Sequence, residues 1–351
     1  MKKGVHFFYH YMRRKFSLLT KAYVQNKIFY CRALHGDSNF NICINCDLTV
    51  SCNCQDFDGS GRIGNLSEHS LEQVFQGAKA KFFRDTLSRR RFPLETCPIC
   101  SELQLAPAVE RPFYLNNYRV PRKGLMIENT VLCNLRCGMC RREDLLKIRR
   151  DKVMSLENAM KVSALLKYCQ IENLYYFNLG EPFLPVDVHR QVEIIRSQNK
   201  DMRIITSTNG VLLDKPEKLE AALLMDYIYV SLDGPDQETV DRYQVGSSFA
   251  KAYENMVRLA ALRNARHVSR PIIEWKYVLF RWNDRPTQVR AAIEMARAAG
   301  VDLFGLYPGG ALLRNRSFRY PRHPFYRGIG TKVGDATIIN FSGVPEALLF
   351  P

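Results

Sequence analysis

The chain has 351 residues, 46% apolar and 25% charged, a composition that supports a sizeable buried core and excludes wholesale disorder. No run of about eighteen apolar residues occurs, which excludes a transmembrane helix, and the basic N-terminus lacks the apolar stretch and cleavage site of a secretory signal. A soluble cytoplasmic protein is the expectation. The formal charge of +16 admits an acidic peptide, a phosphorylated substrate or a nucleic acid as partner, although a charge run is most often a solvated face.

Residues 1–30 contain no carboxylate and interleave Lys2, Lys3, Arg13, Arg14 and Lys15 with Phe7, Phe8, Tyr9, Tyr11, Met12, Phe16, Leu18 and Leu19. This lead is expected to pack on the rest of the protein, the alternative being an anionic membrane surface. Residues 31–110 hold seven of the eleven cysteines, a Gly/Asp-rich turn at Asp56, Asp58, Gly59, Gly61 and Gly64, and one helical stretch over 70–87. The turn lacks the terminal glutamate of an EF-hand and is set aside as a calcium loop. Pro107, Pro112 and Pro121 punctuate a linker.

From about residue 122 strands and helices alternate. Strands are expected over 124–132, 173–179, 203–207, 227–232, 272–280 and 301–307, each a short apolar or β-branched run followed by loop residues. Helices are expected over 155–170, 186–199, 216–224, 249–265 and 287–299. The pattern predicts an α/β fold, a partial (βα)6 TIM-like barrel preceded by a small cysteine-rich metal-cluster module. The segments are then 1–30, 31–110, 122–310 and a basic tail over 311–351, in which Arg314, Arg316, Arg319, Arg322, Arg327 and Lys332 precede any acid. Ligands of such folds bind at the carboxyl ends of the strands.

Ten of the eleven cysteines fall between Cys31 and Cys140. In a reducing compartment that clustering points to metal rather than disulfides; Cys169, alone in a helical pattern, is expected to be a core residue. After the first barrel strand comes Cys133-Asn134-Leu135-Arg136-Cys137-Gly138-Met139-Cys140. Three thiolates in a short loop can each ligate one iron of a [4Fe-4S] cluster, leaving the fourth iron for a small molecule. A structural zinc site wants four ligands at paired spacings and fits CxxxCxxC poorly.

These residues resemble the signature of the radical S-adenosylmethionine (radical SAM) superfamily, and the likeness extends over roughly residues 122–308. It implies that S-adenosyl-L-methionine chelates the open iron and is reductively cleaved to a 5′-deoxyadenosyl radical that abstracts hydrogen from a substrate. It also implies an electron donor such as flavodoxin or ferredoxin. Asn178-Leu179-Gly180-Glu181-Pro182 resembles the family's GGEP element, with Leu179 in place of its first glycine; by that likeness Gly180 and Glu181 bind the methionyl amino group. Thr206-Ser207-Thr208-Asn209-Gly210 and Ser231-Leu232-Asp233-Gly234 stand where the family contacts ribose and substrate, which implies cofactor roles for Ser207, Asn209, Ser231 and Asp233. Met139 takes the position whose backbone reaches adenine. The stretch 306–310 either closes over adenine or is a plain turn.

In the N-terminal region, Gly64-Asn65-Leu66, Ser70-Leu71-Glu72-Gln73-Val74-Phe75, Phe83-Arg84 and Leu87 resemble the SPASM module of radical SAM enzymes, which implies an auxiliary [4Fe-4S] cluster. The module precedes the barrel here, whereas in most relatives it follows. The expected ligands are Cys31, Cys52 or Cys54, Cys97 and Cys100, with Cys43 and Cys46 as spares or substitutes; a zinc ribbon is the alternative. No side chain is assigned as a catalytic residue in its own right. His189 and His267 are expected in core or surface roles, and neither a nucleophile signature nor GxGxxG or a P-loop occurs. Three functions follow from the resemblance and the charge: peptide or protein maturation or sugar/metabolite oxidation, RNA modification, and a metal-stabilised binding protein without catalysis.

Overall fold

The computed structural model describes residues 2–54, 56–309 and 315–349, with the side chains of 2–10 left aside. The chain separates into two compact units: residues 1–129 with 144–178, and residues 130–143 with 179–351. The division does not follow the sequence segments, because the first two barrel strands belong with the cysteine-rich region.

The first unit opens with α1 (Lys2–Val24), β1 (Lys27–Cys31) and α2 (Arg32–His35). The inner side of α1 carries Leu18, Leu19 and Ala22, which pack with Phe29, Leu87, Leu103 and Leu105; Phe16 and Tyr23 stay exposed. The lead therefore packs on its own unit. Then come β2 (Cys43–Ile44), β3 (Thr49–Ser51), β4 (Arg62–Asn65), α3 (Leu71–Gln76), α4 (Ala78–Ser88), β5 (Leu103–Pro107) and α5 (Arg111–Asn116). The expected single helix over 70–87 is two helices, because Gly77 adopts extended backbone (φ −64°, ψ 159°). Ser70 and Gln73 close a capping box at its start. The unit ends with β6 (Gly124–Ile127), α6 (Arg142–Ile148), α7 (Leu156–Tyr168) and β7 (Asn173–Tyr176), α6 straddling the boundary. Strand β6 pairs parallel with both β7 and β2, and β3 and β4 continue antiparallel. Strand β1 pairs separately with β5.

The second unit contains α8 (Val188–Gln198), β8 (Arg203–Thr208), α9 (Pro216–Leu223), β9 (Tyr227–Ser231), α10 (Gln237–Asp241), α11 (Phe249–Ala265), β10 (Ile272–Leu279), α12 (Pro286–Ala298) and β11 (Leu303–Pro308). Strands β8 to β11 are parallel neighbours in chain order. The tail adds an antiparallel hairpin, β12 (Thr331–Val333) and β13 (Ala336–Asn340), on the edge of β11. The sequence left this tail unassigned. The six expected strands and five expected helices are all present, most strands ending earlier than drawn because the polar residues after them belong to loops.

Ion pairs to buried aspartates hold the strand starts. Asp226 precedes β9, accepts from the Ile204 amide at 2.8 Å, and pairs with Arg196 and Arg270. Asp302, before β11, accepts from Ile273 N at 2.8 Å and pairs with Arg263. Such anchors at the amino ends are structural and leave the carboxyl ends for ligands.

Candidate active site

Every cofactor residue expected from the sequence, and the cysteine triad, lies in the second unit. The triad loop is fixed by backbone pairing: Arg136 N donates to Val245 O and Gly138 N to Tyr243 O, both at 2.9 Å. Cys140 N closes a turn onto Cys137 O at 3.1 Å. Leu135 N donates to Cys133 Sγ at 3.4 Å, the contact a thiolate accepts. All three cysteines are partly buried and free of disulfides. Burial pushes Cys133 up to about 11, and burial with the neighbouring thiols pushes Cys137 up to about 12. Thiols so placed are neutral without a metal and release their protons when one binds.

Glu181 is placed by its neighbour. A Cβ on Gly180 would stand 2.0 Å from Thr130 O and 2.9 Å from Leu132 O, so only glycine allows the 180–181 backbone to lie on the 130–132 stretch that leads into the triad loop. Glu181 N then donates to Leu132 O at 2.8 Å. The carboxylate is fully buried and accepts from Thr208 Oγ1 (2.7 Å), Asn209 N (2.9 Å) and Phe183 N (3.2 Å). Desolvation raises its pKa against those bonds. Three donors leave a carboxylate one acceptor position for a further donor.

Asn209 Nδ2 donates to Asn134 Oδ1 at 2.9 Å and approaches Cys133 Sγ at 4.0 Å, tying the loop after β8 to the triad. Ser207 Oγ and Ser231 Oγ face each other at 3.3 Å across β8 and β9. Asp233 is buried; its Oδ1 accepts from Val278 N at 2.8 Å and its amide donates to Gln244 Oε1 at 3.0 Å. It therefore fastens the end of β9 to β10, and burial pushes its carboxyl up to about 7. Met139 is half-buried, with Asn315 Nδ2 3.7 Å from its sulfur. The loop after β11 is described as far as Gly309; Gly310 and Arg314 lie outside the described residues.

The first unit holds the other cysteines and divides them. Cys31 at the end of β1, Cys52 after β3, and Cys97 and Cys100 on either side of a 3-10 turn line one small cavity with Leu34, Phe83, Leu87, Leu94 and Leu103. Burial, then the neighbouring thiols, raises Cys31 and Cys52 well above the usual thiol range; Cys97 is pushed up to about 11. Cys54 does not line that cavity: its Sγ donates to Asn41 Oδ1 at 3.3 Å, although Cys100 is close enough to raise its pKa. Cys43 and Cys46 belong to a different buried network, in which Glu128 pairs with Arg149 at 2.7 Å and Arg149 donates to Asn45 Oδ1 at 2.9 Å. Asn178 Nδ2 lies 3.7 Å from Cys43 Sγ, and Cys46 Sγ donates to Asp151 O at 3.0 Å. Cys169 is partly exposed rather than core, its Sγ 3.9 Å from Glu72 Oε1.

Among the described residues no three Cys, His, Asp or Glu side chains close tightly enough around one point to hold a single ion. Zinc demands four ligands at about 2.3 Å from one centre, whereas a cubane spreads its cysteines over separate irons. The three thiols of the triad loop are a donor set of the second kind.

Sequence reasoning missed one cluster. Glu274 and Lys276 face the same side of β10, with Tyr227 on β9 and Tyr307 on β11 donating to the Glu274 carboxylate, the latter at 2.8 Å. Its signal was present: two charges two residues apart within IIEWKYVL, an otherwise apolar strand.

The Radical SAM superfamily model matches residues 127–272. Among curated proteins, the GTP 3′,8-cyclase of Chlorobaculum tepidum is 28% identical over 132 residues, 38% of this chain and 39% of that protein. The chain thus spans about two fifths of the length of the relative it matches. Among solved structures, anSMEcpe with bound AdoMet is similar at 18% identity and a TM-score of 0.40, covering 52% of this chain and 50% of that one. TYW1 with a lysine-pyruvate adduct bound is similar at 16% identity and a TM-score of 0.36, covering 52% and 63%.

Proposed function

Residues 127–272 are a radical SAM superfamily domain, and from that premise we propose that the chain reductively cleaves S-adenosylmethionine at a [4Fe-4S] cluster held by Cys133, Cys137 and Cys140. When bound, cluster and cofactor supply a 5′-deoxyadenosyl radical that abstracts hydrogen from the substrate; the protein binds, orients and excludes water. The observation that carries the reading is the linkage of the two motifs: Glu181 and Asn209 are hydrogen-bonded to each other and, through Leu132 and Asn134, to the triad loop. Glu181 accepts the cofactor's ammonium at its remaining acceptor position, and Ser207 and Ser231 offer hydroxyls beside it. Asp233 holds that wall in place more than it presents a free carboxylate, and Met139 offers its backbone to adenine.

Cys31, Cys52, Cys97 and Cys100 hold an auxiliary [4Fe-4S] cluster in this proposal, in a SPASM-like module. The cavity they share supports it, and it selects Cys52 over Cys54. Held there, such a cluster would supply an electron acceptor, which would suit a net oxidation in maturation of a peptide or protein or oxidation of a sugar or metabolite. The electron donor is a flavodoxin- or ferredoxin-type protein.

The test is anaerobic reconstitution followed by counting of iron and sulfide, in wild type and in a variant with Cys133, Cys137 and Cys140 replaced by Ala. The expectation is about eight irons falling to about four, by cubane stoichiometry. About four falling to none leaves the radical SAM site and removes the auxiliary cluster. A variant that loses no iron refutes the reading.

A further inference from the structure

Strand β10 reads IIEWKYVL, and its burial alternates: Ile273, Trp275, Tyr277 and Leu279 are fully buried, while Lys276 and Val278 on the other side keep accessible surface. Period-two geometry puts Glu274, Lys276 and Val278 on that second face. Register sets Lys276 opposite Ser231 on β9 and Gly305 on β11. The ammonium therefore stands one strand away from a hydroxyl assigned to the cofactor, beside a position without a side chain. The Glu274 carboxylate and the Tyr307 ring fill the space a side chain would take: a Cβ on Gly305 would lie 2.0 Å from Glu274 Oε1 and 2.6 Å from Tyr307 Cε2.

The nearest neighbours of the Lys276 ammonium are aromatic rings. Its Nζ sits 5.3 Å from the centre of the Tyr229 ring and 5.2 Å from that of Tyr307. The one carboxylate beside it in the strand, Glu274, is occupied by two tyrosine hydroxyls. Asp233 spends one oxygen on Val278 N. Among the described residues Lys276 makes no direct hydrogen bond or ion pair, although the charges of Glu274 and Asp233 act on it; it keeps accessible surface, so its donors are open to solvent or a ligand.

We propose that Lys276 is the anchor for an anionic group of the substrate, a carboxylate or a phosphate, in a chamber walled by Tyr229 and Tyr307 next to the cofactor position. The proposal rests on the radical SAM reading for what lies beside the chamber, and deepens it by naming the substrate class. Rings on two sides hold the ammonium without competing for its hydrogens, so the donors stay available to the ligand. Burial lowers the lysine's pKa, and pushes Glu274 and Asp233 up to about 7. The two acids are therefore partly protonated at neutral pH, and repel an incoming anion less than two full charges would.

The experiment is competitive labelling of the reconstituted protein, without reductant and with S-adenosylmethionine present, by a trace of acetic anhydride. Mass spectrometry compares the peptide carrying Lys276 with that carrying the exposed Lys147. Formate and inorganic phosphate are the probes, and a neutral control is formamide. The expected result is a saturable slowing of Lys276 labelling alone, about tenfold, which is a rise of about one pH unit in its titration point. Slowing by formate identifies a carboxylate, and slowing by phosphate a phosphate. Equal behaviour of Lys276 and Lys147 with both anions overturns the proposal. So does a Lys276 that never labels, since a chamber open to a small anion admits a small anhydride. No radical chemistry occurs in this assay, so its failure is distinct from a failure to form 5′-deoxyadenosine on reduction, which would refute the function instead.

Discussion

Glu274 shows how a single residue reports on its surroundings. It is wholly buried, and burial outweighs the two tyrosine donors and Lys276 in setting its pKa, up to about 7 from an ordinary 4.5. The folded state then holds the proton more tightly than the unfolded chain. Stability from this group is fully present below about 4.5 and is lost as pH rises to about 7. The expected outcome is that the difference in thermal midpoint between wild type and Glu274→Gln falls across that interval and is flat above it. Parallel melting curves across that range would show that the carboxyl titrates normally. The cysteine triad was legible at this scale because three thiols in eight residues have few other uses. Glu181 was legible only through its motif, since its three donors come from residues up to 28 positions away.

At the scale of elements, the junction of the 180–181 segment with the 130–132 stretch decides whether the site forms. Gly180 has no room for a methyl group against Thr130 O. Gly180→Ala is expected to cost about 1–3 kcal/mol of stability, the range for overpacking, and to displace Glu181. Equilibrium dialysis with S-adenosylmethionine should show weakened binding while circular dichroism keeps the fold. Unchanged binding would mean that the contact relaxes without moving the carboxylate. The strands themselves were readable because parallel strands buried on both faces are continuous apolar runs. Their ends were not, because a polar loop residue and a polar last strand residue look alike in sequence. Gly77 shows the opposite error, a helix break hidden within a stretch that otherwise has helical spacing.

At the scale of the molecule, the cysteines sort by unit: three with the cofactor residues in one, eight in the other. Four of those eight share a cavity, and this division carries a prediction. Cys52→Ala should remove about four irons from the reconstituted protein, one cubane, whereas Cys54→Ala and Cys43→Ala should remove none. Loss of iron from Cys54→Ala with none from Cys52→Ala would reverse the ligand choice. If the centre binds zinc, metal analysis of the wild type shows it directly. The charge of +16 belongs to this scale as well. Binding of RNA that weakens steeply with salt and exceeds binding of DNA would favour the RNA-modifying alternative.

The sequence by itself determined the repeating strand–helix order, the triad loop, the three polar motifs after successive strands, and the concentration of cysteines before residue 101. These are local patterns: each depends on residues within one element and the loop after it, where spacing translates directly into position. Only the tertiary structure decided which cysteines meet, that Cys54 faces Asn41, that the tail adds a hairpin to β11, and that Lys276 stands between two tyrosine rings without an acceptor. Those facts depend on strand register and on contacts between residues tens of positions apart, and chain spacing carries no record of either. A charge in a buried strand is visible in the sequence; whether it has found its partner is decided by packing.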